Sequence, residues 1–203
     1  MAIISNAVTI ADAGAFSVGL GDMVHIKTLT ASSSANLTFV HGASSVVLDS
    51  TYPIYKFVFI NIHNSAESIF QVNFRDGGTN YDATKTTTYF YPYNAENDGE
   101  RAIIYSAADD LAQSTDPQRL ARSYGIENDE SISGELTLFN PSSTTFVKHF
   151  IANTAFMGNG DYSHNNFVSG YFNLTAAIDE IQFKMSSGNI DSGIIKLYGI
   201  KDS

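Results

Sequence analysis

In "IFQVNFRD" (69–76) Phe70, Val72 and Phe74 fall on one side of an extended chain and Gln71, Asn73 and Arg75 on the other. This two-residue period is the signature of a half-buried β-strand, and it recurs in short runs along nearly the whole chain. "VHIKTLT" (24–30), "NLTFV" (36–40) and "SVVLD" (45–49) are β-branched segments parted by Ser, Gly and Asn. "YKFVFINIHN" (55–64) is apolar on both parities at first, which reads as a central strand covered on both faces. Beyond it Asn61 and His63 alternate with Ile60 and Ile62. "GGTNYDATK" (77–85) reads as a loop and "TTTYFYPYN" (86–94) as a Thr/aromatic strand, whose end Pro92 places at a sheet edge or outside the ladder.

The middle of the chain is more ambiguous. "SAADDLAQ" (106–113) fits a short helix capped by Ser106 with Asp109 in its first turn, and "DPQRLARSYG" (116–125) has helix grammar that a strand through Leu120, Arg122 and Tyr124 matches nearly as well. Strand text then resumes. "SISGELTLFN" and "TFVKHFIANT" form a hairpin around Pro141, "FMGNGDYSHNN" (156–166) reads as a loop, and "FVSGYFNLT" (167–175) follows. The chain closes with Ile181–Met185, "SSGNIDSG" and Ile194–Ile200, which reads as a final hairpin with Ile181, Phe183 and Met185 facing a core. The spacing predicts an all-β, antiparallel β-sandwich, jelly-roll-like, of about 10–12 strands with at most one or two short helices. No βαβ rhythm, linker or internal repeat divides it, so residues 23–203 are expected to form a single domain.

With 203 residues and no cysteine, the chain is long enough to build its own core without a disulfide or a thiolate metal site. The net charge of −10 repels phosphate backbones, which excludes nucleic acid as an expected ligand. No run of about 18 apolar residues is present, so no membrane insertion is expected. The first 22 residues lack a positive n-region and read as retained rather than as a signal peptide. With Ile3, Ile4, Val8, Ile10, Phe16, Val18 and Leu20 apolar, that segment is too dry to float free. It is expected to add a first strand to the sheet or to act as an anchoring arm on a neighbouring subunit.

Chemistry-bearing clusters are sparse. Asp76 and Asp82, Asn159, Asp161 and His164, and Glu127, Asp129 and Glu130 sit in Gly/Asn-rich text, but none matches an EF-hand, and ordinary turns use the same residues. The five histidines are scattered, and no G-x-S-x-G elbow holds a serine. No catalytic residue, metal site or cofactor is assigned. Aromatics are the better signal: Tyr89, Phe90, Tyr91 and Tyr93 crowd one strand, and Tyr81 and Tyr162 lie in loops. Such rings serve cores, protein interfaces or sugar platforms; Tyr81, Tyr93 and Tyr162 are the candidates for surface recognition.

The blocks "IKTLTASSSANLTFVHG", "VVLDSTYPIYKFVFINIHN", "SGELTLFNPSSTTFVKHF" and "IQFKMSSGNIDSGIIKLYGI" resemble a family of virion structural proteins from tailed phages of marine bacteria, cyanophages especially. The likeness runs from about Val24 to Ile200 and carries no catalytic motif. It implies a β-rich, non-enzymatic protein on the particle surface, made in the bacterial host cytoplasm and localised to the virion. A head decoration or cement protein is the first expectation and a short tail fibre or receptor-binding knob the second. The partners implied are major capsid or tail proteins and further copies of the chain, as a homo-oligomer with a trimer favoured. The rival reading from the residues is a carbohydrate-binding module for host surface glycans, and a polysaccharide-cleaving enzyme stands third.

Overall fold

The computed structural model describes residues 3–5, 8–12, 15–16, 23–122, 125–158 and 160–202. They form strands and turns, with no helix among the described residues. Two antiparallel sheets pack face to face as a β-sandwich, as the period-two text predicted. The larger has eight strands: β4 (Met23–Thr30), β6 (Ile54–Asn64), β8 (Lys85–Ala95), β9 (Arg101–Tyr105), β11 (Ile132–Phe139), β12 (His149–Gly158), β13 (Tyr162–Phe172) and β15 (Ile190–Ile200). Their spatial order is β4-β15-β6-β11-β12-β13-β8-β9. The smaller has four: β5 (Leu37–Val40), β7 (Phe70–Arg75), β10 (Gln118–Arg119) and β14 (Glu180–Met185), in the order β10-β7-β14-β5.

Aromatic rings fill the space between the layers. Phe183 on β14 lies 5.5 Å from Phe57, 5.2 Å from Phe59 and 6.0 Å from Phe70, with Phe39 at 6.3 Å. A second group joins Phe74 of the small sheet to Phe150 and Phe172 of the large one, at 5.3 and 4.8 Å. All eight are essentially inaccessible to solvent. Offset and edge-on rings at these separations add to the area they bury, and each ring removed leaves a cavity the sheets cannot close.

β6 carries a bulge that the alternation alone does not reveal. Tyr55, Phe57 and Phe59 face the core, and so does Ile62, three residues after Phe59. The odd residue is accommodated at Asn61, whose φ is 49°, where the register with β11 slips. A left-handed backbone is cheaper for Asn than for a β-branched residue, so the bulge falls there. Only one face of β6 is fully covered, against the expectation of two. Lys56, Val58 and Ile60 on the other side are half-buried or partly exposed.

The chain's end corrects the expected final hairpin. β14 pairs with β5 and β7, and β15 pairs with β4 and β6, so the two strands lie in different sheets. Both edges of β14 are occupied, which leaves β15 no place beside it. Four residues link Met185 to Ile190, and four extended residues reach about 13 Å, enough to cross the roughly 10 Å between packed sheets. The crossing is stitched to a parallel one between β6 and β7: Asn189 N donates to Ser65 Oγ at 2.9 Å and Ser65 N to Asn189 O at 3.0 Å. Ser186 N donates to Ile69 O at 2.9 Å, and Ile69 N to Ser186 Oγ at 3.0 Å. The expected core faces hold: Ile181, Phe183 and Met185 are buried.

Other expectations are also revised. Residues 45–49 form no strand, though Val46 and Leu48 are buried under a loop whose Asp49 backbone exchanges two hydrogen bonds with the Tyr55 hydroxyl. Residues 106–113 make a turn instead of a helix, and in the following segment Gln118–Arg119 pairs with β7. The loop expected at 156–166 is much shorter, because β12 runs to Gly158 and β13 starts at Tyr162. At the N-terminus β1 (Ile3–Ser5), β2 (Val8–Asp12) and β3 (Ala15–Phe16) form a separate three-stranded sheet instead of adding a strand to either larger one.

Candidate functional site

The four-stranded sheet is too narrow to cover the inner face of the eight-stranded one. It ends at β10, just before Leu120, whose carbonyl accepts from Thr154 Oγ1 at 2.5 Å and Asn166 Nδ2 at 3.3 Å on the facing sheet. Beyond this row the inward-facing residues of β8, β9 and β13 open into a cleft of about 330 Å³, lined by Tyr91, Tyr93, Ile104, Tyr162, His164 and Arg122, with Glu100 at its rim.

Antiparallel register puts these side chains together. Tyr93 pairs with His164 across β8 and β13, and Tyr91 pairs with Ile104 across β8 and β9. The Tyr93 ring lies 5.7 Å from His164, nearly parallel, and 5.7 Å from Tyr162 at 73°. His164 in turn stacks on Phe156 at 4.9 Å and 6°. Gly158 makes room for that stack, since a Cβ there would stand 2.8 Å from His164 Cδ2. Burial, reinforced by the Arg122 charge, pushes the His164 imidazolium down in pKa, so the ring is neutral near pH 7. Its Nδ1 has no hydrogen-bond partner among the described residues. Tyr162 OH donates to Glu100 Oε2 at 3.1 Å, and that acceptor raises the Tyr162 pKa.

Arg122 forms the cleft's far wall. Its guanidinium carbon stands 5.0 Å from the Tyr91 ring centroid, within cation–π range. Asp109, which is 3% exposed, holds it there through Oδ2 at 3.0 Å, and Oδ1 accepts from Arg119 Nη1 at 2.7 Å. Ser106 Oγ donates to Asp109 Oδ2 at 2.5 Å. The same loop is sewn to β8 by Thr87, whose hydroxyl accepts from Leu111 N at 2.9 Å and donates to Gln118 Oε1 at 2.6 Å. Asp109 therefore turns the chain through its carboxylate, where the sequence suggested a helix start.

The outer face of the large sheet offers a second surface. Phe90 and Phe167 stack face to face at 4.9 Å, and Phe90 pairs with Tyr105 on the free edge strand β9. Ile103 is 77% exposed, Tyr105 56% and Ile151 53%. Tyr171 continues the patch beside a shallow groove of about 440 Å³.

Of the residues expected to recognise a surface, the structure unites Tyr93 and Tyr162 but not Tyr81. Tyr81 OH donates to the Glu180 carboxylate, which also pairs with Arg75, and Arg75 Nε donates to Asp179 Oδ1 at 3.0 Å. Burial, then the Glu180 contact, raises the Tyr81 pKa to about 12. Tyr81 thus braces the small sheet. Of the apolar N-terminal residues, Ile3 and Ile4 lie on β1, Val8 and Ile10 on β2, and Phe16 on β3. Val18 and Leu20 fall outside the described residues. Among the described residues no group of three or more His, Asp or Glu is placed to hold a metal ion. Arg122, Glu100 and Ile104 were not singled out by the sequence; β9 itself left no mark beyond the run "AII".

No protein-family model matches the chain, and no curated protein matches it. Among solved structures, "Structure of infectious bursal disease virus Gt strain" aligns at 10% identity over 88% of this chain and 42% of that chain, with a TM-score of 0.17. A likeness this low carries no argument about fold or role.

Proposed function

We propose that this chain is a non-enzymatic structural protein of a phage particle surface, a head decoration or cement protein in the first instance and a short tail fibre or receptor-binding knob in the second. The observation that carries the reading is the apolar outer face of the large sheet, which runs to an unblunted edge. β9 reads "RAIIY": its backbone groups on one side are unpaired by any described strand, and Ile103 and Tyr105 are exposed on the outer face. Edges of free-standing domains are usually protected by charge, proline or a bulge. Contiguous exposed rings and branched aliphatics mark surfaces that bury themselves against protein.

The partners proposed are capsid or tail proteins and further copies of the chain. A trimer brings three copies of the edge together around one axis. A standard interface of about 1,600 Å² suffices for a specific contact, and many copies on one shell multiply weak contacts into a stable layer. The N-terminal segment with its own small sheet is the proposed anchor. The resemblance of the sequence blocks quoted above to virion proteins of marine phages points the same way.

The test is quantitative mass spectrometry of purified particles carrying wild-type or altered protein. Hundreds of copies per particle are expected for a shell protein, and a few tens or fewer for a tail protein. Absence from particles would overturn the reading. Deletion of residues 1–22 is expected to leave a folded domain that no longer co-purifies with particles; retention would sink the anchor.

A further inference from the structure

We propose that the cleft between Tyr93, Tyr162 and Arg122 is a binding site for a neutral hexopyranose unit of a polysaccharide. Tyr93 and Tyr162 present two rings at 73°, an apolar corner that suits the C–H face of a sugar ring, and Ile104 extends that corner along β9. Around it stand groups of the kind that read equatorial hydroxyls: Glu100, an exposed carboxylate already accepting from Tyr162, and Arg122, whose guanidinium has further N–H donors beyond the one given to Asp109. His164 backs the aromatic corner, its ring 5.7 Å from Tyr93. A small number of fixed polar groups on an aromatic floor is the general form of a small-ligand site, and about 330 Å³ is at the small end of such sites.

The charge pattern selects the class. Asp109 is shared between Arg119 and Arg122, and Glu100, which accepts from Tyr162, stands at the rim, so the charges around the cleft cancel on a chain that carries −10 overall. A uronate, sialyl or phosphoryl group would find no net positive charge there and would approach against the field of an acidic chain, whereas a neutral sugar loses nothing to it. The inner-face corner is also built as a recess: in a closed sandwich these rings would be core, but here Tyr93, Tyr162 and His164 remain partly open because, among the described residues, no small-sheet strand lies beyond β10. This site is separate from the outer sheet face, so the two readings stand or fall independently.

The test is a glycan array of neutral hexose trisaccharides (gluco, manno and galacto series) beside glucuronate-containing and sialylated ones. Hits are then titrated calorimetrically. At least one neutral series is expected to bind, and Tyr162→Ala to weaken it at least tenfold. Glu100→Gln, at an exposed position that leaves the fold intact, is expected to weaken it several-fold. Tyr105→Ala on the outer face is expected to leave it unchanged. The proposal is overturned if no neutral sugar binds, if acidic sugars bind more tightly, or if neither Tyr162→Ala nor Glu100→Gln changes affinity.

Discussion

Phe183 concentrates the fold's dependence on single residues. It touches four rings from three other strands, Phe39 of β5 and Phe70 of β7 in its own sheet and Phe57 and Phe59 of β6 in the facing one, so truncation opens a cavity at the point where the layers meet. Phe183→Ala is expected to cost about 3–5 kcal/mol in denaturant unfolding. A loss under about 1 kcal/mol would mean the rings are not packed as described. Lys85 makes the opposite kind of demand. It is a fully buried ammonium on β8 whose pKa burial lowers to about 8, with Asp116 offsetting part of the effect. Below pH 8 both states hold the proton and the native state bears the full cost. Between about 8 and 10.4 the unfolded chain binds the extra proton, so stability rises with pH, by at most about 1.4 kcal/mol per pH unit. Above about 10 the sign reverses, because burial raises Tyr55 to about 12 and Tyr89 further still, so that the unfolded chain ionises first. Thermal unfolding between pH 8 and 10 is expected to show rising stability. Lys85→Met is expected to flatten that rise, with Lys148, also lowered by burial, supplying the remainder. A flat wild-type profile would contradict the assignment.

At the scale of elements, the loop from Ser106 to Arg122 ties the cleft to the sandwich. One carboxylate, Asp109, gathers two arginines and a serine hydroxyl, so Asp109→Ala releases Arg122 and the Leu111 turn together. The expected cost is about 1.5–3 kcal/mol, the range for hydrogen bonds to a charged group. Amide exchange at Leu111 and Ser114 should accelerate at least tenfold while β14 stays protected; uniform acceleration would show instead that the loop unfolds with the whole. This loop also shows where sequence reading stops. Ser-x-x-Asp is a helix-capping grammar, and the Ser106–Asp109 pair does form, but the aspartate's two arginine partners lie 10 and 13 residues downstream, where no local pattern reports them. The same limit explains β14 and β15. An alternating run, a wet turn and a second run describe a hairpin and a sheet-to-sheet crossing equally well. What separates them is whether the edge of β14 is already taken by β5 and β7, a long-range fact. Strand existence and inward faces were readable because Phe70, Val72 and Phe74, or Ile181 and Phe183, carry the period within one segment. The cleft was readable only in Tyr93 and Tyr162, since Glu100 and Arg122 resemble any surface charges until the register brings them together.

For the whole molecule, the unequal widths of the two sheets matter more than any single contact. Eight strands against four leave an aromatic corner on the inner side and a broad, half-apolar face on the outer. The outer face is where assembly is expected. Ile103→Asp should change unfolding stability by less than about 1 kcal/mol, because its side chain is 77% exposed, and Phe90→Asp by about 1–2 kcal/mol, because it also loses the stack on Phe167. They should nevertheless reduce incorporation into particles at least tenfold in a competition between wild-type and variant protein. The most direct measurement is an electron cryo-microscopy reconstruction of the native particle. The account predicts density for this sandwich in many symmetry-related copies, with β9 and the Phe90–Phe167 face buried against neighbouring protein. A particle in which that face points to open solvent, or in which the protein has no place, would contradict it.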